Sequence, residues 1–196
     1  MTVSVLPHDT ANLLTLAAVF RGGSCLEHHP LRHRQPSVAL TLRAATTDDT
    51  TAVARVLIDS RRELMPFAPS THSDGSVHQW VRDTLIPSGG VTVAAVGDAA
   101  DGAADGAVAA VLALSAHAGV AWIDHLYVHP TQVARGIGRR LLMHALATLP
   151  RPVQLHTFQA NHRARAFYER HGFSAVAFSD GSGNEERCPD VLYRLA

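Results

Sequence analysis

Residues 120–149 carry an apolar alternating stretch, VAWIDHLYV, then a short loop, HPTQVARGIG, then a helical repeat, RRLLMHALATL, which Pro150 stops. A strand that hands over to a helix across so short a loop belongs to a layered α/β domain, because each element has one apolar face to cover. Glycines 136 and 138 let the loop backbone come close to a ligand. The unpaired N–H groups of the helix's first turn point outward there, and the helix dipole favours negative charge. Arg135, Arg139 and Arg140 add full positive charges nearby. The competing reading is a helix start that needs small residues for packing, with its arginines in solvent. On this stretch alone, both readings stay open.

The pattern around the junction is regular from residue 39 onward. VALTLRAAT alternates as a strand, and Thr47 or Asp48 can cap a helix over Thr51–Leu64. A second amphipathic segment, SVHQWVRDTLI, places Val77, Trp80 and Val81 on one face and ends at Pro87. VTVAAVGD and AVAAVLALSA read as strands around the turn residues DAADGAADG. After the junction come a helix over Arg139–Leu149, the strand PVQLHTF and a helix over His162–His171. Asn161 can cap this last helix at its start, and Gly172 can supply a left-handed residue at its end. FSAVAFS and DVLYRLA close the chain as a hairpin around the polar loop DGSGNEERCP.

Residues 1–38 differ from the rest. Pro7, Pro30, Pro36, Gly22 and Gly23 interrupt them, and the expectation is a poorly ordered extension ahead of a single domain over 39–196. Cys25, His28, His29 and His33 could be imagined as metal ligands, but no second ligand pair follows at zinc-site spacing, so no metal is expected.

Composition narrows the function classes. All 17 basic residues are arginine and balance 17 acidic ones, so no overall charge draws the chain to nucleic acid or an anionic membrane. No apolar run approaches the ~20 residues of a membrane span. The two cysteines, Cys25 and Cys188, form no CxxC pair, which fits a reducing cytoplasm. With no lysine the Walker phosphate loop is impossible, and Gly138 is followed by no third glycine, which excludes the dinucleotide fingerprint.

What remains, VAWIDHLYVHPTQVARGIGRRLL followed by NHRARAFYERHGF, resembles the GNAT superfamily of acyl-CoA-dependent N-acetyltransferases. The likeness rests on the strand ending LYVHP, the Q/R-x-x-G-x-G/A loop and the N-x-x-A-x-x-F-Y-x-x-x-G-F helix, in that order. One position departs: Val133 stands where the loop usually has Gln or Arg, with Gln132 one residue early. The resemblance implies an α/β fold with a mixed, mostly antiparallel central sheet, splayed middle strands and flanking helices. It implies acetyl-CoA as cosubstrate, its pyrophosphate held by the backbone N–H groups of Ala134, Arg135, Gly136, Ile137 and Gly138, with Arg139. The pantetheine arm is expected along Leu126, Tyr127 and Val128, near Asn161, in a gap between the 120–128 and 152–158 strands. The N–H of Leu126 would face the thioester oxygen, and losing one such donor commonly costs ~2.7–4 kcal/mol.

Acetyl transfer to an amine needs a neutral amine, a polarised carbonyl and a proton for the departing thiolate. Tyr168 matches the family's general-acid tyrosine, although a core aromatic on an amphipathic helix would look the same. Asp124 is the first candidate base, directly or through a water. Strict alternation puts it on one face with Trp122, Leu126 and Val128, and puts His125, the second candidate, on the other. The acceptor is expected against the first two helices, near His72, His78 and Trp80, and the final loop. There Glu185, Glu186 and Asp190 could attract a cationic amine, or simply be solvated with Arg187. The partners expected are a small-molecule amine and acetyl-CoA, with a homodimer as the assembly frequent among such proteins. The competing reading is a catalytically silent acyl-CoA-binding sensor with the same fold.

Overall fold

The computed structural model describes residues 38–98 and 106–196. The N-terminal extension, with Cys25 and its neighbouring histidines, lies outside the described residues, as does most of the DAADGAADG turn. The elements in chain order are β1 (Val38–Ala44), α1 (Thr50–Leu64), α2 (Asp74–Trp80), β2 (Val91–Asp98), β3 (Ala107–His117) and β4 (Val120–Val128). They continue with α3 (Ile137–Thr148), β5 (Val153–Phe158), α4 (His162–Arg170), β6 (Ser174–Ser179) and β7 (Asp190–Leu195).

The strands form one seven-stranded sheet in the order β1-β2-β3-β4-β5-β7-β6. Every neighbouring pair is antiparallel except β4 and β5, which run parallel across the α3 crossover. This is the mixed, mostly antiparallel sheet expected from the sequence. The helices cover it on two sides. Leu126, Val128, Leu141, Leu142, Phe167 and Tyr168 belong to one apolar cluster, between the sheet and α3 and α4. Val53, Val56, Leu57, Val77, Val81 and Tyr127 belong to the other, between the sheet and α1 and α2.

Three boundaries differ from expectation. The first helix is capped by neither Thr47 nor Asp48: both lie in a 3-10 turn over Thr47–Asp49 that Thr46 opens, and α1 starts at Thr50 with Asp49 at its N-cap. Helix α3 starts at Ile137 rather than Arg139, because Gly136 takes the left-handed conformation (φ 78°) that turns the chain, and Ile137 and Gly138 are already buried. The second amphipathic segment is a short α-helix that widens into a π-helical turn over Val81–Leu85, with Ile86 N–H bonded to the Val81 carbonyl at 3.0 Å. Val77, Val81 and Leu85, four residues apart, stay buried throughout.

Candidate active site

The sheet opens in its middle. β4 and β5 pair only at Ala121–Val153 and Trp122–Gln154. β5 then follows β7 along its whole length, from Val153–Leu195 to Phe158–Asp190, while β4 stays on β3 up to Val128. Beyond Trp122 the two strands are therefore not ladder partners, and the Leu126–Val128 end of β4 runs beside a gap. The Val128 carbonyl accepts the buried Ser60 hydroxyl at 2.9 Å, which ties α1 to that end.

A β-bulge sits at the mouth of the gap. Ala113 pairs with His125 and Leu114 with Ile123, so Asp124 is an extra residue with none opposite it. The bulge overturns the alternation expected for this strand. Ala121, Ile123, Leu126 and Val128 face α3 and α4, whereas His125 and Tyr127 face α1 and α2. His125 is thus on the same side as Trp122, and Leu126 and Val128 are on the opposite side.

Helix α4 presents Tyr168 from below. Asn161 caps the helix, its Oδ1 accepting the Ala164 N–H at 3.1 Å. At the other end Phe173 N–H reaches the Tyr168 carbonyl at 3.1 Å and Gly172 N–H the Glu169 carbonyl at 3.1 Å, a Schellman turn that Gly172 permits at φ 88°. Tyr168 lies fully buried among Phe167, Phe173 and Tyr193. Its hydroxyl has no hydrogen-bond partner, and burial, with Tyr127 nearby, holds its pKa well above the ordinary 10.0.

The loop before α3 begins with His129, pinned by its N–H to the Ala109 carbonyl at 2.8 Å and by its ring to Asp59 at 3.2 Å. Ala134 (φ 66°) and Gly136 (φ 78°) are both left-handed. A chain that turns left-handed at intervals aims several N–H groups into one concavity, a geometry suited to anions. Ala134, Arg135, Gly136, Arg139 and Arg140 are exposed around it. Val133, the residue out of pattern, is extended and packs against the α3 and α4 cluster.

Residues 57–173 match the model of the acetyltransferase (GNAT) family. The chain belongs to that family. Solved structures agree in fold. Apo YjaB from Escherichia coli shares 20% identity at a TM-score of 0.61, over 80% of this chain and 97% of that one. The PaiA N-acetyltransferase of Thermoplasma acidophilum, in complex with coenzyme A, shares 18% at 0.57, over 80% and 98%. Arabidopsis thaliana Naa50, in complex with the bisubstrate analogue CoA-Ac-MVNAL, shares 19% at 0.59, over 81% and 99%. No curated protein matches the sequence.

Within this GNAT domain, the two candidate bases differ sharply. Burial pushes the Asp124 carboxyl above its ordinary pKa, and a hydrogen bond from Ser115 offsets part of that. His125 is not the near-neutral base expected. Burial, helped by the charge of Arg61, lowers it to about 4, so it is a neutral imidazole. One residue passed over in the sequence joins this face: His156 on β5 stacks on Trp122 at 5.8 Å and lies 3.6 Å from Asp190. Its signal was present, since Val153 and Leu155 face α3 and α4 and alternation turns His156 the other way.

A cavity of about 310 Å³ opens on the α1 and α2 side, lined by Leu57, Ile58, Met65 and Val77 and floored by His125 and Tyr127. Trp80 packs edge-on against His125 at 5.5 Å. The three acidic residues singled out around the final loop are already partnered. Glu186 is buried and meets Arg61 at 2.8 Å; Glu185 meets His72 at 2.8 Å; buried Asp190 accepts the Asn184 amide at 2.7 Å. Burial works against the Arg61 charge, yet Tyr127 and Glu186 beside it hold the guanidinium above its usual pKa. Among the described residues no cluster fit to hold a metal ion occurs, and no helix is long and apolar enough to cross a membrane.

Proposed function

We propose that this GNAT domain transfers the acetyl group of acetyl-CoA directly to a primary amine, on a small molecule or as an exposed amino group, in the cytoplasm. The observation that carries the reading is the Tyr168 hydroxyl, fully buried, without a partner and in one cluster with Leu126 and Val128. Leaving such a group unpaired costs ~1–3 kcal/mol, a cost a ligand sulfur reaching it from the gap would offset. Coenzyme A in the PaiA structure and its bisubstrate analogue in the Naa50 structure support the cosubstrate. The free thiol of Cys188 fits a reducing compartment.

The thioester brings the activated acetyl group, and the chain's own residues do the rest. N–H groups of Ala134, Arg135, Gly136, Ile137 and Gly138, with Arg139, hold the pyrophosphate. Leu126, Tyr127 and Val128, with Asn161, position the pantetheine arm, and the Leu126 N–H polarises the carbonyl. As the amine nitrogen bonds to the carbonyl carbon and the carbon–sulfur bond breaks, the nitrogen's proton goes to Asp124, directly or through a water. The Tyr168 proton goes to the sulfur. Asp124 suits its role better than His125, because burial makes the carboxylate more basic while it makes the imidazole less so.

Thiol release from acetyl-CoA across a panel of amines tests this. Tyr168→Phe is expected to lower kcat by ~10²–10⁴, while acetyl-CoA, held chiefly by the loop and strand backbone, still binds. Asp124 must be deprotonated to act, so kcat falls as pH drops through its raised pKa, and Asp124→Asn abolishes that limb. Tight acetyl-CoA binding without turnover of any amine would instead favour the sensor.

A further inference from the structure

We infer that the cavity under α1 and α2 accepts amines with a single cationic centre on a compact apolar body, and discriminates against polycations such as polyamines and aminoglycosides. This rests on the transferase reading above and specifies its acceptor. The walls come from Leu57 and Ile58 on α1, Met65 and Pro69 on the α1–α2 connection, and Val77 on α2. Its floor is the His125–Tyr127 stretch of β4, which flanks Leu126 on both sides.

Charge decides the class. Three carboxylates stand around the cavity, and each already has a partner: Asp74 meets the Arg62 guanidinium at 3.1 Å, Glu186 meets that of Arg61 at 2.8 Å, and Glu185 meets the His72 ring at 2.8 Å. The Glu186 side chain is wholly buried in its pair, while the other two pairs sit at the exposed rim. His125 is neutral and adds no charge. A second ammonium entering here would shed water and find no free carboxylate, which is unfavourable. An alkyl or aralkyl body gains about fourfold in affinity for each methylene it buries. The same apolar wall disfavours a protonated amine, so it helps present the free amine that must attack.

The test is a series of n-alkylamines from propylamine to hexylamine, with spermidine and kanamycin beside them. kcat/KM is expected to climb about fourfold per methylene until the cavity is full, and both polycations to lie at least ~10-fold below hexylamine. Ile58→Trp, which fills the cavity, should flatten the chain-length dependence while acetyl-CoA binding shows that the variant is folded. Spermidine or kanamycin matching hexylamine overturns the inference and leaves the transferase standing. Calorimetry of hexylamine and spermidine on the CoA-loaded protein reads the cavity without turnover. Hexylamine binding there with no acetylation of any amine overturns the transferase and keeps the cavity. Absence of hexylamine binding overturns the cavity assignment itself.

Discussion

The two halves of this site are built by different means. On the α3 and α4 side, residues near in sequence do the work: a strand end, a loop with two left-handed residues, a helix N-terminus and a capped helix bearing Tyr168. On the α1 and α2 side, the decisive contacts join distant segments, as when Arg61 meets Glu186 across 125 positions. Backbone dipoles shape the first half, whereas paired side chains and an apolar wall shape the second. On the proposed function, a ligand anion is met by the backbone of the first half, so that half can be read in a motif, and the acceptor is met by packing, which no short motif records.

The largest expected effect lies in the second half. Glu186→Ala leaves the Arg61 guanidinium buried without its carboxylate, and breaking one partner of such a pair costs ~3–5 kcal/mol. Chemical unfolding of the variant should show that loss. Replacing both, Arg61→Met with Glu186→Leu, should recover most of it, because neither side then buries a lone charge. A loss of under ~1 kcal/mol for Glu186→Ala would place the final loop among ordinary solvated loops and erase the contrast between the halves.

That contrast also explains what could be read from the chain. Asn161, Gly172 and Pro150 mark helix ends through local backbone chemistry, and each does so in the structure. The bulge at Asp124 escaped because alternation is a rule of two that one inserted residue resets. A hint was visible in the adjacent Asp124 and His125, two polar residues in a row within an otherwise apolar strand. Arg61 gave no hint at all, since beside Arg62 it looks like any solvated arginine in the last turn of a helix. Its burial comes from Glu186, which the chain brings back only after six of the seven strands have been laid down. Val133 is the converse case, a position that looks wrong for a polar loop and turns out to pack on the core.

A second, smaller effect separates the halves by pH. His125 moves from the ordinary imidazole value of 6.5 to about 4 on folding. Between those values the unfolded chain binds the proton and the folded chain does not. Its share of stability is therefore complete above pH 6.5 and is lost as pH falls toward 4, on the order of 3 kcal/mol in all. The measurement is a difference between two proteins, so that every group they share cancels. Unfolding free energies at pH 7 and pH 4.5 should fall less in His125→Phe than in the parent protein. Equal falls would mean that water reaches the ring.

The smallest effect probes the loop that the motif marks. Gly136 and Ala134 both hold positive φ, at 78° and 66°, but only one of them is a glycine. A left-handed residue with a side chain costs roughly 1–2 kcal/mol. A Cβ at Gly136 would meet nothing within 4 Å, so Gly136→Ala should lose about 1 kcal/mol from backbone conformation alone. Ala134→Gly relieves the same strain, partly offset by the freer unfolded chain, and should be neutral or slightly stabilising. Acetyl-CoA affinity is the sharper readout. If the left-handed turns hold the N–H groups around the pyrophosphate, Gly136→Ala weakens binding several-fold and Ala134→Gly does not. Equal affinity in both variants would move anion binding from the loop backbone to the exposed side chains of Arg135, Arg139 and Arg140. The first half of the site would then depend on side chains as much as the second.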